Sequence, residues 1–386
     1  MNTVTTPHIE SRLPKVGTTI FAVMSALAQE VGAVNLGQGF PDFHCDPALL
    51  AHVVAAMHEG LNQYPPMPGV PQLRERVAAK MQTLYGKSYD AGSEITITAG
   101  ATQAILTAVL CCVRPGDEVL VLEPCYDSYA PNIELAGGRI VRVPLTPGSF
   151  RPDFVRIAAA LNTNTRLVML NSPHNPSATV WTRAEMQQLA ELLAPTNALL
   201  LSDEVYEHMV FDGVPHVSAA SIPALAARAF VVSSFGKTYH VTGWKVGYVA
   251  APAALTAEFR KVHQFNVFTV NTPMQHALAR YMGDAAPYLE LPAFYQRKRD
   301  LFLQGLANTR LKPLHTQGSY FQLVDYSAIS TLPEAEFCQW LTREMGVAAI
   351  PVSAFYEAGF EQGLARLCFA KQDSTLQQAL LRLQKL

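Results

Sequence analysis

EVLVLEPCYDSY (residues 118–129) and AFVVSSFGKTYH (residues 229–240) share one pattern, in which a short apolar run ends in polar and aromatic residues. Similar apolar runs open or fill four further stretches: EITIT (94–98), RLVML (166–170), ALLLSDEVYEH (198–208) and VGYVA (246–250). Amphipathic stretches such as ATQAILTAVLCCV (101–113) separate the runs. Buried parallel strands that alternate with helices produce this pattern. The sequence therefore predicts an α/β fold with a mostly parallel sheet of at least six strands.

The chain changes character beyond about residue 285. QRKRDLFLQGLAN (296–308) and EAEFCQWLTREM (334–345) have helical patterns, whereas QGSYFQLVDY (317–326) and RLCFAK (366–371) resemble strands. We expect a large domain over residues 46–285 and a smaller α+β domain over 286–386. Residues 1–45 are expected to form an N-terminal arm and part of the small domain.

Composition narrows the classes of protein that the chain can belong to. Its 386 residues are 49% hydrophobic and only 16% charged, with a net charge of -2. So small a net charge does not indicate the basic surface that binds nucleic acid or an anionic membrane. No apolar run is long enough for a membrane span. The six cysteines show no metal-binding spacing, and residues 1–19 show neither the basic start nor the apolar segment that is typical of a signal peptide. We expect a cytoplasmic protein without a metal, which buries surface in its core or against another subunit.

Two nucleotide-binding interpretations fail on spacing. Gly236-Lys237-Thr238 resembles the end of a phosphate-binding P-loop. That motif requires a glycine at position 231, where this chain has Val231. A Rossmann dehydrogenase is excluded as well, because no GxGxxG follows any of the apolar runs.

Lys237 and Asp203 suggest a different chemistry, because each follows a buried strand. Ligands of α/β sheets bind at the carboxyl ends of the strands. A lysine at such a place can have a lowered pKa and form an imine with a carbonyl compound. A carboxylate such as Asp203 can keep the ring nitrogen of pyridoxal phosphate protonated, so that the ring accepts electrons. Each residue also has an ordinary structural explanation: a surface charge for Lys237, a helix cap or ion pair for Asp203.

Several motifs together resemble the class I aminotransferases of pyridoxal-phosphate fold type I. They are NSPHNP (171–176), SDEVY (202–206), SFGKT (234–238), TGWKVG (242–247) and RLCFA (366–370). VNLGQGFPDF (34–43) and NQYPPMPG (62–69) narrow the resemblance to the branch that contains kynurenine aminotransferases and bacterial methionine aminotransferases, the latter being the most similar. The motifs occur in the order that the family has. The resemblance implies the fold of that family, with a large cofactor-binding domain.

The resemblance implies that pyridoxal 5'-phosphate is the cofactor and that Lys237 binds it covalently and later moves the proton of the substrate Cα. Asp203 would pair with the ring nitrogen, and Tyr206 would donate a hydrogen bond to the phenolic oxygen. The remaining cofactor-binding residues would be Gly100, Ala101, Thr102, Tyr126, Asn175, Ser234, Lys245 and, from a second subunit, Tyr64. The enzyme would then be a homodimer with shared active sites.

The same resemblance implies the substrate-binding residues. Arg366 would bind the α-carboxylate, as a planar guanidinium suits that group. Gly39 and Asn175 would contact the substrate, and Phe21, with Phe268 from the partner subunit, would line an apolar side-chain pocket. The expected reaction transfers the amino group of methionine, or of another large uncharged or aromatic L-amino acid, to a 2-oxo acid by a ping-pong mechanism.

Two alternatives stay open at this stage. A cysteine-conjugate β-lyase would use the same cofactor and the same Lys237, and would release pyruvate and ammonia without an acceptor. A non-catalytic regulatory protein of the same fold would bind the cofactor but convert no amino acid.

Overall fold

The computed structural model describes residues 9–386, so residues 1–8 of the expected N-terminal arm lie outside the described residues. In chain order, the helices are α1 (Ile20–Glu30), α2 (Pro47–His58), α3 (Pro71–Tyr85), α4 (Gly100–Cys112), α5 (Tyr129–Leu135), α6 (Phe154–Ala160), α7 (Arg183–Leu193), α8 (Pro223–Ala226), α9 (Phe235–Thr238), α10 (Ala253–Asn266), α11 (Thr272–Tyr281), α12 (Ala286–Leu289), α13 (Leu291–Leu306), α14 (Glu334–Glu344) and α15 (Asp373–Leu383). The strands are β1 (Val34–Asn35), β2 (Ile95–Thr98), β3 (Glu118–Glu123), β4 (Arg139–Pro144), β5 (Thr165–Asn171), β6 (Leu199–Asp203), β7 (Ala229–Ser234), β8 (Gly247–Ala250), β9 (Lys312–Pro313), β10 (Phe321–Asp325), β11 (Val347–Ala348), β12 (Ile350–Pro351) and β13 (Leu364–Cys368). No helix among these residues is long and apolar enough to cross a membrane.

The large sheet has seven strands in the order β2-β8-β7-β6-β5-β3-β4. All six apolar runs of the sequence form strands in it, which confirms the α/β fold. The parallel direction expected for VGYVA is wrong, because β8 pairs antiparallel with both β2 and β7. Only residues 235–246 separate β7 from β8, and they contain one turn of α-helix and one turn of 3-10 helix. A parallel crossover usually needs a full helix, so the chain turns at the carboxyl edge and re-enters the sheet in the opposite direction.

One strand of this sheet, β4, was not predicted from the sequence. Its residues RIVRVP include Arg139 and Arg142, which interrupt the apolar run. The strand lies at the edge of the sheet and pairs only with β3, and its residues are largely half-buried. An edge strand tolerates charged side chains, and these hide the strand from a search for apolar runs.

Helices cover both faces of the large sheet. Val121 and Phe230 belong to a hydrophobic cluster with α4, α5 and α10 on one face. Leu120 and Val231 belong to a second cluster with α2, α3, α7 and α11 on the other. Because helices cover both faces, a ligand can reach the sheet only at the ends of its strands, where the loops begin.

The C-terminal part contains the antiparallel sheet β12-β13-β10-β9. The N-terminal segment joins this part, since β1 pairs parallel with β11 and Met24 and Leu27 share a hydrophobic cluster with Phe337 and Leu341. Residues after 285 thus form the expected helices and strands. The domain boundaries at residues 45 and 285 themselves stay a prediction.

Candidate active site

A cavity of about 170 Å³ lies at the carboxyl ends of β5, β6 and β7. Its lining includes ten of the residues that the sequence analysis assigned to the cofactor: Gly100, Ala101, Thr102, Tyr126, Asn175, Asp203, Tyr206, Ser234, Lys237 and Lys245. Ile105, Asn171, Val205 and Thr242 complete it. The fold therefore gathers in one cavity residues that are up to 145 positions apart, from Gly100 to Lys245.

Lys237 lies on α9, the single helical turn that follows β7. Its Nζ donates hydrogen bonds to the Gly39 carbonyl oxygen at 3.0 Å and to the Tyr320 hydroxyl at 2.8 Å. Burial lowers the pKa of Lys237 to about 8, because the charged ammonium loses its hydration. A substantial fraction of this amine is therefore neutral and nucleophilic near physiological pH.

Asp203 ends β6 and is buried. The Tyr129 hydroxyl donates to its Oδ2 at 2.7 Å, and the Val205 main-chain N–H donates to Oδ1 at 3.3 Å. Burial raises the pKa of Asp203 to about 6, although the hydrogen bond from Tyr129 opposes the increase. The hydrogen bonds thus compensate the buried negative charge of Asp203 only in part, so a positively charged group that enters the cavity is favoured.

Asn175 and Tyr206 approach the cavity from the turns after β5 and β6. The Asn175 main-chain N–H donates to Asn171 Oδ1 at 2.8 Å, which fixes the turn. The Tyr206 ring packs edge-on against Tyr320, with 5.0 Å between ring centroids. Burial raises the pKa of Tyr206 above its usual range, so its hydroxyl remains a hydrogen-bond donor at neutral pH.

The N-terminus of α4, together with Ser234 and Lys245, makes a candidate anion cradle in this cavity. The first N–H groups of a helix have no partner within the helix, and they carry the positive end of its dipole. Gly100 has φ +79°, and a Cβ there would lie 3.4 Å from Lys245 Nζ. The missing side chain therefore leaves the helix end and the lysine open to the same anion.

Arg366, on β13, is buried beside this cavity. Its Nη1 donates to Asn175 Oδ1 at 2.7 Å and its Nη2 to the Gly37 carbonyl oxygen at 3.0 Å. Its Nε has no hydrogen-bond partner within residues 9–386. The guanidinium carbon lies 5.3 Å from the ring centroid of Phe21 and 5.0 Å from that of Phe355. The site thus presents a guanidinium that is partly unsatisfied, surrounded by aromatic side chains.

Tyr64 and Phe268 do not line the cavity in this chain. They pack edge-on against each other, with 5.2 Å between ring centroids, and are 81% and 43% exposed. Phe268 also has φ +69°, in the left-handed region that is strained for a bulky residue. Their expected part in the site therefore depends on a second subunit.

Sequence reasoning missed Tyr129 and Tyr320. Tyr129 lies three positions after the predicted Tyr126 in the stretch PCYDSY that follows β3, and this position at the carboxyl end of a strand was the available signal. Tyr320 lies within the stretch 317–326 that was predicted as a strand, but nothing in the sequence relates it to Lys237, 83 positions away.

The chain belongs to the family of class I and II aminotransferases, whose family model matches residues 31–383. It is thus an aminotransferase, of a family that depends on pyridoxal phosphate. The matches do not favour the β-lyase or the regulatory protein.

Individual relatives cover almost the whole chain. The methionine aminotransferase of Escherichia coli K12 is 54% identical over 98% of each chain. The human kynurenine–oxoglutarate transaminase 1 is 35% identical over 91% of this chain and 92% of its own. A solved E. coli structure described as a methionine aminotransferase has a TM-score of 0.96 and covers 98% of this chain and 100% of its own. A solved N-succinyldiaminopimelate aminotransferase from Mycobacterium tuberculosis has a TM-score of 0.93 at 39% identity, covering 98% and 100% of the two chains.

Proposed function

We propose that this aminotransferase binds pyridoxal 5'-phosphate and moves the amino group of methionine, or of another large uncharged or aromatic L-amino acid, to a 2-oxo acid in ping-pong order. The observation that carries the proposal is the position of Lys237. Its amine, with a pKa of about 8, lies in one cavity with the buried Asp203 and the N-terminus of α4.

The donors and acceptors of the cavity fit the cofactor group by group. A phosphate suits the main-chain N–H groups of Gly100, Ala101 and Thr102 and the side chains of Ser234 and Lys245. A protonated ring nitrogen suits Asp203, whose charge the hydrogen bonds from Tyr129 and Val205 and the charge of Lys237 compensate only in part. Asn175 and Tyr206 are available as donors to the phenolic oxygen, and Tyr126 to pack on the ring. When bound, the cofactor supplies an electron sink for the charge that develops on the substrate Cα.

The chain's own groups bind the substrate and move its proton. Arg366 binds the α-carboxylate with two parallel hydrogen bonds and exchanges its present acceptors on Gly37 and Asn175 for the substrate. The neutral amine of Lys237 would accept the proton of the substrate Cα and deliver it to the C4' carbon of the cofactor in the same half of the cycle, and would move a proton in the opposite direction when the 2-oxo acid is the substrate. A base held at the reacting atom is effective because no encounter with solvent bases is needed.

Aromatic residues near Arg366 favour an uncharged side chain. Phe21 and Phe355 stand beside the guanidinium and form an apolar wall. We propose that Phe268 of the partner subunit extends this wall. An apolar pocket separates similar side chains by only about 1–3 kcal/mol per methylene, so methionine is the first of several donors. The named activity of the E. coli relative supports this order.

We also propose that the enzyme is a homodimer in which Tyr64 reaches the phosphate of the partner subunit. An apolar face on α2, formed by Leu50, Val54 and Met57, is about half exposed. These residues follow a helical spacing and lie on one side of the helix. A second copy of the chain would cover this face and bring the exposed Tyr64 into a site.

Near-UV and visible absorbance of the purified protein tests the proposal. We expect a yellow band that moves to shorter wavelength when methionine is added without an oxo acid and returns when a 2-oxo acid is added. Lys237→Ala is the control and should lack the band. If methionine leaves the band unchanged, the proposed substrate is wrong. If no band appears even after pyridoxal phosphate is added, the proposed roles of the site residues are wrong.

A further inference from the structure

Lys371 is a buried lysine, three positions after β13, that binds the loop of residues 37–40. It is 3% exposed. Its Nζ donates to the main-chain oxygen of Phe40 at 2.8 Å and to that of Gln38 at 3.4 Å, and lies 5.0 Å from the Phe40 ring centroid. A buried ammonium is costly unless hydrogen bonds compensate it, so these two carbonyl groups tie the lysine to the loop.

Two other basic side chains hold the same loop, but each has a ligand of its own to bind. Arg366 donates to the Gly37 oxygen and Lys237 to the Gly39 oxygen, each at 3.0 Å. In the proposed function, Arg366 turns to the substrate carboxylate and Lys237 to the cofactor. Lys371 does not line the cavity, so neither ligand competes with the loop for its amine.

The amide groups of the loop are not equivalent. Asn35 Oδ1 accepts from the N–H groups of Gly37 at 3.0 Å and Gln38 at 3.2 Å. The Gly39 N–H has no acceptor in the part of the chain that the structure describes. The Gly39 N–H can therefore donate to a carboxylate, and the direction in which it points depends on the two flanking carbonyl groups that Lys371 holds.

The main chain around Lys371 is itself fixed. Its carbonyl oxygen accepts from Lys298 Nζ at 2.8 Å, and Lys298 also pairs with Asp373 at 2.9 Å. Asp42, just beyond the loop, accepts from the Thr375 hydroxyl at 2.7 Å. The loop and the chain at the start of α15 are thus joined twice, through Lys371 and through the pair Asp42–Thr375. These contacts hold Lys371 in a fixed position relative to the loop.

From these contacts we infer that Lys371 is a positioning residue for the substrate α-carboxylate, and that it acts by holding the Gly39 N–H in place beside Arg366. The inference rests on the proposed function, because it needs Gly39 and Arg366 to share that carboxylate. A small displacement of a group that orients a substrate can lower affinity strongly.

The test compares the holoenzyme of the wild type with Lys371→Met and Lys371→Arg. The probe is 4-(methylthio)butanoate, which carries the methionine side chain and carboxylate but no amino group, titrated by calorimetry. We expect Lys371→Met to weaken its binding and raise KM for methionine about tenfold, with kcat within about threefold, as expected for lost substrate orientation. The visible band and the affinity for pyridoxal phosphate should not change, and Lys371→Arg should restore most of the binding.

Arg299→Met is the matched control, because Arg299 is a similarly buried cation that also donates to a main-chain oxygen, that of Thr316 at 3.1 Å, but to no atom of the loop 37–40 or of Lys371. We expect it to lose stability without the tenfold effect. Equal effects of the two methionine variants, or a folded Lys371→Met whose binding is within twofold of the wild type, would overturn the inference. If Lys371→Met does not fold, Lys371→Gln is measured against the same limits.

The failure of the proposed function gives a different result. A wild type without the visible band contradicts the cofactor, and a wild type that does not convert methionine contradicts the donor. Neither result needs a Lys371 variant. The calorimetric titration does not depend on turnover, and a wild type that does not bind the probe overturns the inference about Lys371.

Discussion

Burial shifts the two central ionisable groups of the site toward their neutral forms. It lowers the pKa of Lys237 to about 8 and raises that of Asp203 to about 6. For Lys237 the shift is useful at once, because the neutral amine is the reactive form. For Asp203 the shift is a cost, because the hydrogen bond from Tyr129 and the charge of Lys237 offset the loss of hydration only in part.

Asp203→Asn should therefore stabilise the protein without cofactor while it destroys the proposed activity. The pKa of Asp203 is about 6 in the folded state against 3.8 normally, so its ionisation destabilises the fold as pH rises through this interval, and the cost persists at pH 7. Asparagine removes the charge and can still accept from Tyr129. We expect about 1–3 kcal/mol of added stability at pH 7 and none near pH 4, with turnover at least about 100-fold lower. Thermal unfolding at both pH values checks the sign, and a lower stability at pH 7 would contradict it.

Lys237 should make the capture of pyridoxal phosphate depend on pH near 8. Only the neutral amine attacks the aldehyde, so the rate should rise about tenfold per pH unit at low pH and level off near the pKa of about 8. Stopped-flow absorbance of the apoenzyme measures this rate. A rate that still rises steeply above pH 9.5 would indicate an ordinary, solvated lysine.

At the scale of elements, the sequence predicted those parts that local patterning determines. Apolar runs located six strands of the large sheet, and the chemistry-bearing residues Asn171, Asp203 and Ser234 each end one of them. The edge strand β4 was missed because charged residues suit an edge. Tyr320 and Lys371 were missed because their roles arise from contacts between segments far apart in the chain.

The start of α4 provides a test of the anion cradle. Gly100→Ala forces an L-residue into φ +79°, which costs about 1–2 kcal/mol, and brings a methyl group 3.4 Å from Lys245 Nζ. We expect weaker binding of pyridoxal phosphate but little change for pyridoxal, which lacks the phosphate. Absorbance titrations with both compounds measure the difference.

Gly86→Ala is the matched control for this variant. Gly86 ends α3 with φ +69° and has no atom within 4 Å of its added Cβ. It should lose comparable stability and bind both compounds as the wild type does. Equal losses of affinity for pyridoxal and its phosphate in Gly100→Ala would instead indicate a general distortion of the cavity.

Three features of the whole molecule are not explained by contacts within a single chain. Only 16% of the residues are charged, and the apolar face of α2 is about half exposed. Tyr64 and Phe268, which the sequence analysis assigned to the site, lie together outside the cavity. The proposed homodimer accounts for all three observations, because a second copy would cover α2 and receive the two aromatic residues in its own site.

Mixing two defective variants tests this arrangement directly. Lys237→Ala lacks the reactive amine, and the double variant Tyr64→Ala/Phe268→Ala lacks the two aromatic residues. If sites are shared, a heterodimer of the two has one site with Lys237 from one chain and both aromatic residues from the other. After exchange in equal amounts, half of the dimers are heterodimers with one intact site of two, so about a quarter of wild-type activity should return. The control is a triple variant that carries Lys237→Ala, Tyr64→Ala and Phe268→Ala in one chain. When it is mixed with an equal amount of wild type, half of the wild-type chains pair with a partner that lacks the aromatic residues. The activity per wild-type chain should therefore fall. No recovery in the first mixture, with exchange verified by tagged chains, would mean that each subunit builds its site alone.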